Sequence, residues 1–175
     1  MARWPTAAFS THRTGCYGCV RRTSADGACG VSGYPCVHYG MDLFSSDPRV
    51  YSPEKGVVVA VSDGNSAPYR GYGPGVVEIK GVSGVFHLLG HLNLSTIGVA
   101  AGDQVNEGEQ LAEFDRAIGH THFEVRKNIT GPSDTNTINP ELWMSDQSIF
   151  GKLLSAALLV GLAWGSYKLF KDELL

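Results

Sequence analysis

The run Gly56-Val57-Val58-Val59-Ala60-Val61, closed by Ser62-Asp63-Gly64-Asn65, sets the class of fold. It is rich in β-branched side chains, too short for a helix and ended by a turn cluster, so it reads as one strand. Outward from it the same unit recurs. Val76-Val77-Glu78-Ile79, Val85-Phe86-His87-Leu88-Leu89 and Gln110-Leu111-Ala112-Glu113-Phe114 are further short runs, and Gly71-Tyr72-Gly73-Pro74-Gly75 is a second turn cluster. Helical periodicity is weak here, and 22 glycines among 175 residues gather between the apolar runs. The expected fold is all-β, an antiparallel β-sandwich or folded β-barrel.

Around this domain the composition changes twice. Residues 1–36 form a polar, glycine-rich leader that holds all four cysteines, residues 37–146 carry the strand-like runs, and residues 147–175 are an apolar segment with a charged end. A hydrophobic content of 43% suffices for one core. A net charge of −3 with no basic block gives no reason to expect nucleic acid as a partner. From Ile149 to Phe170 a helix would span roughly 33 Å, enough for a hydrocarbon layer of about 30 Å. No charge lies between Lys152 and Lys168, and Trp164 and Tyr167 suit an interface. Apolar residues all round argue against a surface helix, so a C-terminal transmembrane helix is expected. Its orientation stays open, because a lysine stands at each end. The stretch Met1 to Ser10 has no apolar run long enough for an export signal.

The histidines carry the chemistry. His38-Tyr39-Gly40-Met41-Asp42 places an imidazole and a carboxylate four residues apart, with Gly40 letting the backbone turn between them. His120-Thr121-His122 puts two imidazoles on one face of a strand, with Thr121, Phe123 and Val125 on the other. His91 follows an apolar run at a strand end, and His87, four residues earlier, shares its face if the strand is regular. Two histidines and a carboxylate make a catalytic zinc set that leaves the fourth position to water. A further histidine is a natural proton carrier near neutral pH.

In joint order these motifs resemble the LytM/lysostaphin-type zinc endopeptidases. The resemblance runs through His38 to Asp42, Ser52-Pro53-Glu54-Lys55-Gly56-Val57-Val58-Val59-Ala60, Gly71-Tyr72-Gly73 and Leu89-Gly90-His91-Leu92. It continues through the hairpin Gly102 to Leu111, His120-Thr121-His122-Phe123-Glu124 and Asn139-Pro140. It implies zinc ligands His38, Asp42 and His122, with His91 and His120 flanking the metal to activate water and stabilise the oxyanion; which of the two is the main base stays open. It also implies a metalloendopeptidase that cuts peptide bonds in peptidoglycan stems or cross-bridges. Three positions depart from the family pattern. Leu89 replaces an aromatic residue, Phe114 to Gly119 is a shortened loop, and Thr121 replaces leucine. None of these is an implied ligand.

Cys16, Cys19, Cys29 and Cys36 could form two disulfides, the preferred reading, or hold a second, structural zinc, or remain thiols. An anchored wall enzyme without an export signal fits a bacteriophage virion, including one with an internal membrane, where other virion proteins would be partners. Export to the bacterial envelope or periplasm by another route is the second account, with envelope proteins as partners. Other function classes remain: a peptidoglycan-binding or hydrolase-activating module that does not cut, or a structural membrane protein of a virion. An intact set of ligands argues for the enzyme.

Overall fold

A computed structural model describes residues 2–11, 16–18, 38–129 and 135–147. The β-branched runs form strands, and every pairing is antiparallel. In chain order they are β1 (Met41–Phe44), β2 (Arg49–Tyr51), β3 (Gly56–Ser62), β4 (Val76–Gly81) and β5 (Phe86–Gly90), then β6 (Gln104–Val105), β7 (Gln110–Glu113), β8 (His120–Arg126) and β9 (Thr137–Ile138). The large sheet runs β1-β8-β5-β4-β3-β6 with β9 also on β8, while β2 and β7 make a separate ribbon. Residues 140–147 are helical.

Period-two alternation in β8 divides the molecule into two sides. Phe123 and Val125 join Met41, Leu43, Val58, Ile79 and Leu89 of the large sheet and Val50, Leu111 and Ala112 of the ribbon in one buried cluster. Trp143 of the helical segment closes that cluster. The ribbon thus covers one face of the sheet. On the other face, His120, His122, Glu124 and Arg126 stand in a row, and the β3–β4 connection folds Tyr69 and Tyr72 over it against Val76 and Leu88.

The start of the chain belongs to this unit. Arg3 N–H donates to the Pro53 carbonyl, Tyr51 N–H donates to the Pro5 carbonyl, and Ser10 and Phe44 exchange backbone hydrogen bonds. Trp4 packs on Phe9 and edge-on to Phe123. Cys16 is disulfide-bonded, whereas Cys19, Cys29 and Cys36 lie outside the described residues. A thiol committed to a disulfide cannot serve as a thiolate ligand, so a zinc held by all four cysteines is set aside. The apolar run 149–170 also lies outside the described residues. Among those described, no helix is long and apolar enough to cross a membrane.

His87 does not share a side with His91. Strand parity keeps residues 87 and 89 together on the core face, and β5 ends at Gly90. At His91 a φ of 58° turns the chain, and its ring meets those of His120 and His122 on the opposite side. His87 is instead fully buried, 2.7 Å from Glu54 Oε1, with the Ser83 hydroxyl donating to the same oxygen at 2.6 Å. Trp143 lies edge-on to its ring.

Burial pushes the His87 imidazole down, and Glu54 offsets this only in part. Burial would raise the Glu54 carboxyl, but His87 and Ser83 hold it below its usual range. Both shifts are downward, so the unfolded chain takes up protons first. The stability from this pair is complete above the ordinary histidine value of 6.5 and declines as pH falls below it. His87→Gln, which keeps a donor toward Glu54, should therefore show a shallower loss of melting temperature on acidification than the wild type. Parallel melting curves across that range would refute this.

Candidate metal centre

The centre is built on the β1–β8 register. Asp42 and His122 are directly opposed residues, and Phe44 opposes His120 two residues along. Gly90 of β5 lies opposite His122 on its other side. Gly40, just before β1, lets the chain lie close against His122 and Glu124. A Cβ there would stand 2.5 Å from His122 Nε2 and 2.7 Å from Glu124 Cγ. Its value is space, since its φ is not among the positive ones.

Three atoms converge. His38 Nε2 is 3.0 Å from His122 Nδ1, His122 Nδ1 is 2.9 Å from Asp42 Oδ1, and His38 Nε2 is 3.3 Å from the same oxygen. All three residues are buried. Zinc–ligand bonds of about 2.0–2.1 Å set tetrahedron edges of about 3.3–3.4 Å, so the triangle matches one face of a zinc site, slightly contracted. The outer nitrogens fix the tautomers. His38 Nδ1 lies 3.1 Å from the Cys16 carbonyl and His122 Nε2 lies 2.9 Å from Glu124 Oε1, each an acceptor that requires N–H. In the neutral rings each inner nitrogen would then turn a lone pair toward the same spot as the carboxylate, a donor set that could hold a metal ion.

The charges of the cluster also pair with one another. Burial would raise the Asp42 carboxyl, but His122 and His38 outweigh it and hold it far below the usual range. Burial would lower His122, yet Asp42 and Glu124 raise it. Behind His122, burial would raise Glu124, but His122 and Arg126 hold it down at about 2. Arg126 Nε donates to Glu124 Oε2 at 2.6 Å, and the Tyr72 hydroxyl donates to Glu124 Oε1 at 2.8 Å. Farther in, Arg126 Nη1 is 3.6 Å from Glu78 Oε1, and Tyr69 donates to Glu78 Oε2 at 2.6 Å.

His91 and His120 complete the cluster. His120 Nε2 is 3.5 Å from Asp42 Oδ1, and its ring packs on Phe44. His91 is anchored through its backbone N–H to the Tyr72 carbonyl at 2.7 Å and through Nδ1–H to the Gly73 carbonyl at 2.8 Å. Burial first, with His122 and His120 adding to it, lowers the His91 imidazole to about 4. One ligand atom each from Asp42, His91 and His120 lies within 4.8 Å of the others. All five residues singled out in the sequence thus meet in one place. Tyr72, Glu124 and Arg126 were not singled out for roles. His120, His122, Glu124 and Arg126 occupy alternate positions of one strand, but an ordinary solvated face of an antiparallel sheet shows the same alternation, so the sequence did not set Glu124 and Arg126 apart. Leu89 lies in the core, and the phenol beside the centre is that of Tyr72.

An antiparallel sheet presenting two histidines and an aspartate to one point has the build of a metallopeptidase centre. The family model described as Peptidase family M23 matches residues 36–140, and the chain belongs to that family. Among solved structures, lysostaphin in solution is 21% identical with a TM-score of 0.55, over 79% of this chain and 51% of that one. The chain therefore spans about half the length of lysostaphin. A zinc-containing peptidase from Vibrio cholerae is 26% identical with a TM-score of 0.50, over 71% of this chain and 36% of that one. A variant catalytic domain of the prophage-encoded M23 protein EnpA from Enterococcus faecalis is 23% identical with a TM-score of 0.52, over 79% and 95%. Likeness to lysostaphin and EnpA at that identity is likeness of fold. No curated protein matches the chain.

The contact at Gly40 yields a direct check. Gly40→Ala should displace the His122 ring and weaken zinc binding by at least about 10-fold, measured by competition with a chelator. Unchanged affinity would mean that the ring is not held where the geometry places it.

Proposed function

We propose that the chain is a zinc-dependent endopeptidase acting on peptide bonds of bacterial peptidoglycan. Membership of peptidase family M23 supports the reaction class. The observation that carries the reading is the 2.9–3.3 Å triangle of His38 Nε2, His122 Nδ1 and Asp42 Oδ1, with both outer imidazole nitrogens engaged.

His38, Asp42 and His122 would hold the metal, and all three are buried on the sheet. Zinc, when bound, polarises a carbonyl oxygen and makes water a nucleophile near neutral pH. His91 donates Nδ1–H to the Gly73 carbonyl, so its Nε2 is left as a proton acceptor for the attacking water. His120, beside Asp42 and across from His91, supplies the opposing polar wall against which the oxyanion develops. The uncharged run between Lys152 and Lys168 tethers this domain to a membrane.

The full-length chain should carry about one zinc and solubilise purified peptidoglycan in a chelator-sensitive manner. His122→Ala should lose the metal. His91→Ala and His120→Ala should keep it while losing roughly 100-fold or more in turnover. A chain without zinc and without lysis across several wall types would instead be a non-catalytic module. Membrane attachment is checked by fractionation, in which removal of residues beyond 147 should release the protein.

A further inference from the structure

Tyr72 belongs to neither histidine motif, yet it touches both halves of the centre. Its hydroxyl donates to Glu124 Oε1 at 2.8 Å, the same oxygen that stands 2.9 Å from His122 Nε2. Arg126 Nη2 donates to that hydroxyl at 3.2 Å. On the other side, the Tyr72 carbonyl accepts the His91 N–H at 2.7 Å, and the next carbonyl, of Gly73, accepts His91 Nδ1–H at 2.8 Å. The ring lies 5.3 Å from that of His122, and a Cβ at Gly90 would stand 3.2 Å from Tyr72 Cβ.

We infer that Tyr72 is a positioning residue that sets the metal ligand His122 and the proton acceptor His91 in register with one another. The inference rests on the proposed zinc-peptidase reading and adds a residue to it. His122 comes from the sheet, but His91 follows a strand end in the left-handed region, where the strand itself no longer dictates its direction. The β3–β4 connection, through Tyr72, ties the two together. The carboxylate behind a ligating imidazole holds ring orientation and tautomer, and loss of such a partner typically weakens metal binding by about 10–100-fold. Arg126 holds one oxygen of Glu124, and Tyr72 holds the other, the one that faces His122.

The test is Tyr72→Phe in the full-length chain, compared with Tyr69→Phe. Both remove a phenol hydroxyl that donates to a carboxylate near Arg126, but Tyr69 bonds Glu78, which does not touch His122. Zinc affinity is read by chelator competition, turnover and KM separately on peptidoglycan, and folding by the melting temperature of the metal-free protein. Tyr72→Phe should weaken zinc binding about 10-fold and lower turnover with little change in KM. Tyr69→Phe should leave zinc affinity unchanged, even if it lowers the melting temperature. Equal zinc affinity in Tyr72→Phe and wild type overturns the inference. So does equal weakening in both variants, which would make the effect one of general stability. Wild-type protein that binds no zinc would instead remove the function proposed above.

Discussion

Everything at the centre depends on one cross-strand pair, Asp42 on β1 opposite His122 on β8. Directly opposed residues on the same face of an antiparallel pair bring their side chains together without help from a loop. Because side-chain period in a strand is two, a slip of one residue would turn His122 toward the core and Phe123 toward the metal position. The core therefore guards the register. Phe123 and Val125 are completely buried among Met41, Leu43 and Leu89, and no neighbouring register keeps them there. The same alternation that excludes water from one face of β8 lines up His122 on the other.

The polar face carries a cost that the fold meets by pairing. Glu78, Glu124 and Arg126 are almost fully buried, an arrangement that contributes little net stability even when well paired. Their value is directional. Arg126 fixes one oxygen of Glu124 and leaves the other for His122 and Tyr72. A hydrophobic row in these positions would pack as well but would leave the outer nitrogen of His122 without an acceptor and its tautomer undetermined. The charged chain is best understood as the scaffold of one imidazole.

Much of this was legible in the sequence. The runs around Val58, Ile79, Leu88 and Leu111 gave strands, because short β-branched segments between turn clusters have few other ways to bury their side chains. His38, Asp42, His91, His120 and His122 stood out through the order of motifs that resembles the LytM/lysostaphin-type family, and the fold brings them together. Three things were hidden. Trp4 and Phe9 sit in a stretch whose composition is polar, so their docking depended on a surface made by β1 and β2. His87 looked like a neighbour of His91, because strand parity does not announce where the strand stops. Tyr72 stood in a turn cluster, and a turn residue acquires its partners only when the connection folds back over the sheet.

The two halves of the centre are made by different means. His38, Asp42 and His122 are placed by strands and the residues next to them, whereas His91 is placed by backbone partners in loops. At φ 58° a non-glycine residue costs on the order of 1 kcal/mol or more, and it persists only where neighbours over-determine it. Here three contacts do so: His91 N–H to the Tyr72 carbonyl, Nδ1–H to the Gly73 carbonyl, and Asp115 N–H to the His91 carbonyl. The last comes from the shortened loop before β8, so that loop braces the histidine as well as connecting strands. A metal site tolerates little displacement of its ligands, and strands supply that rigidity. In the proposed mechanism the proton carrier would face both water and the departing amine, and a ring held from behind by the Gly73 carbonyl would meet that demand without disturbing the sheet.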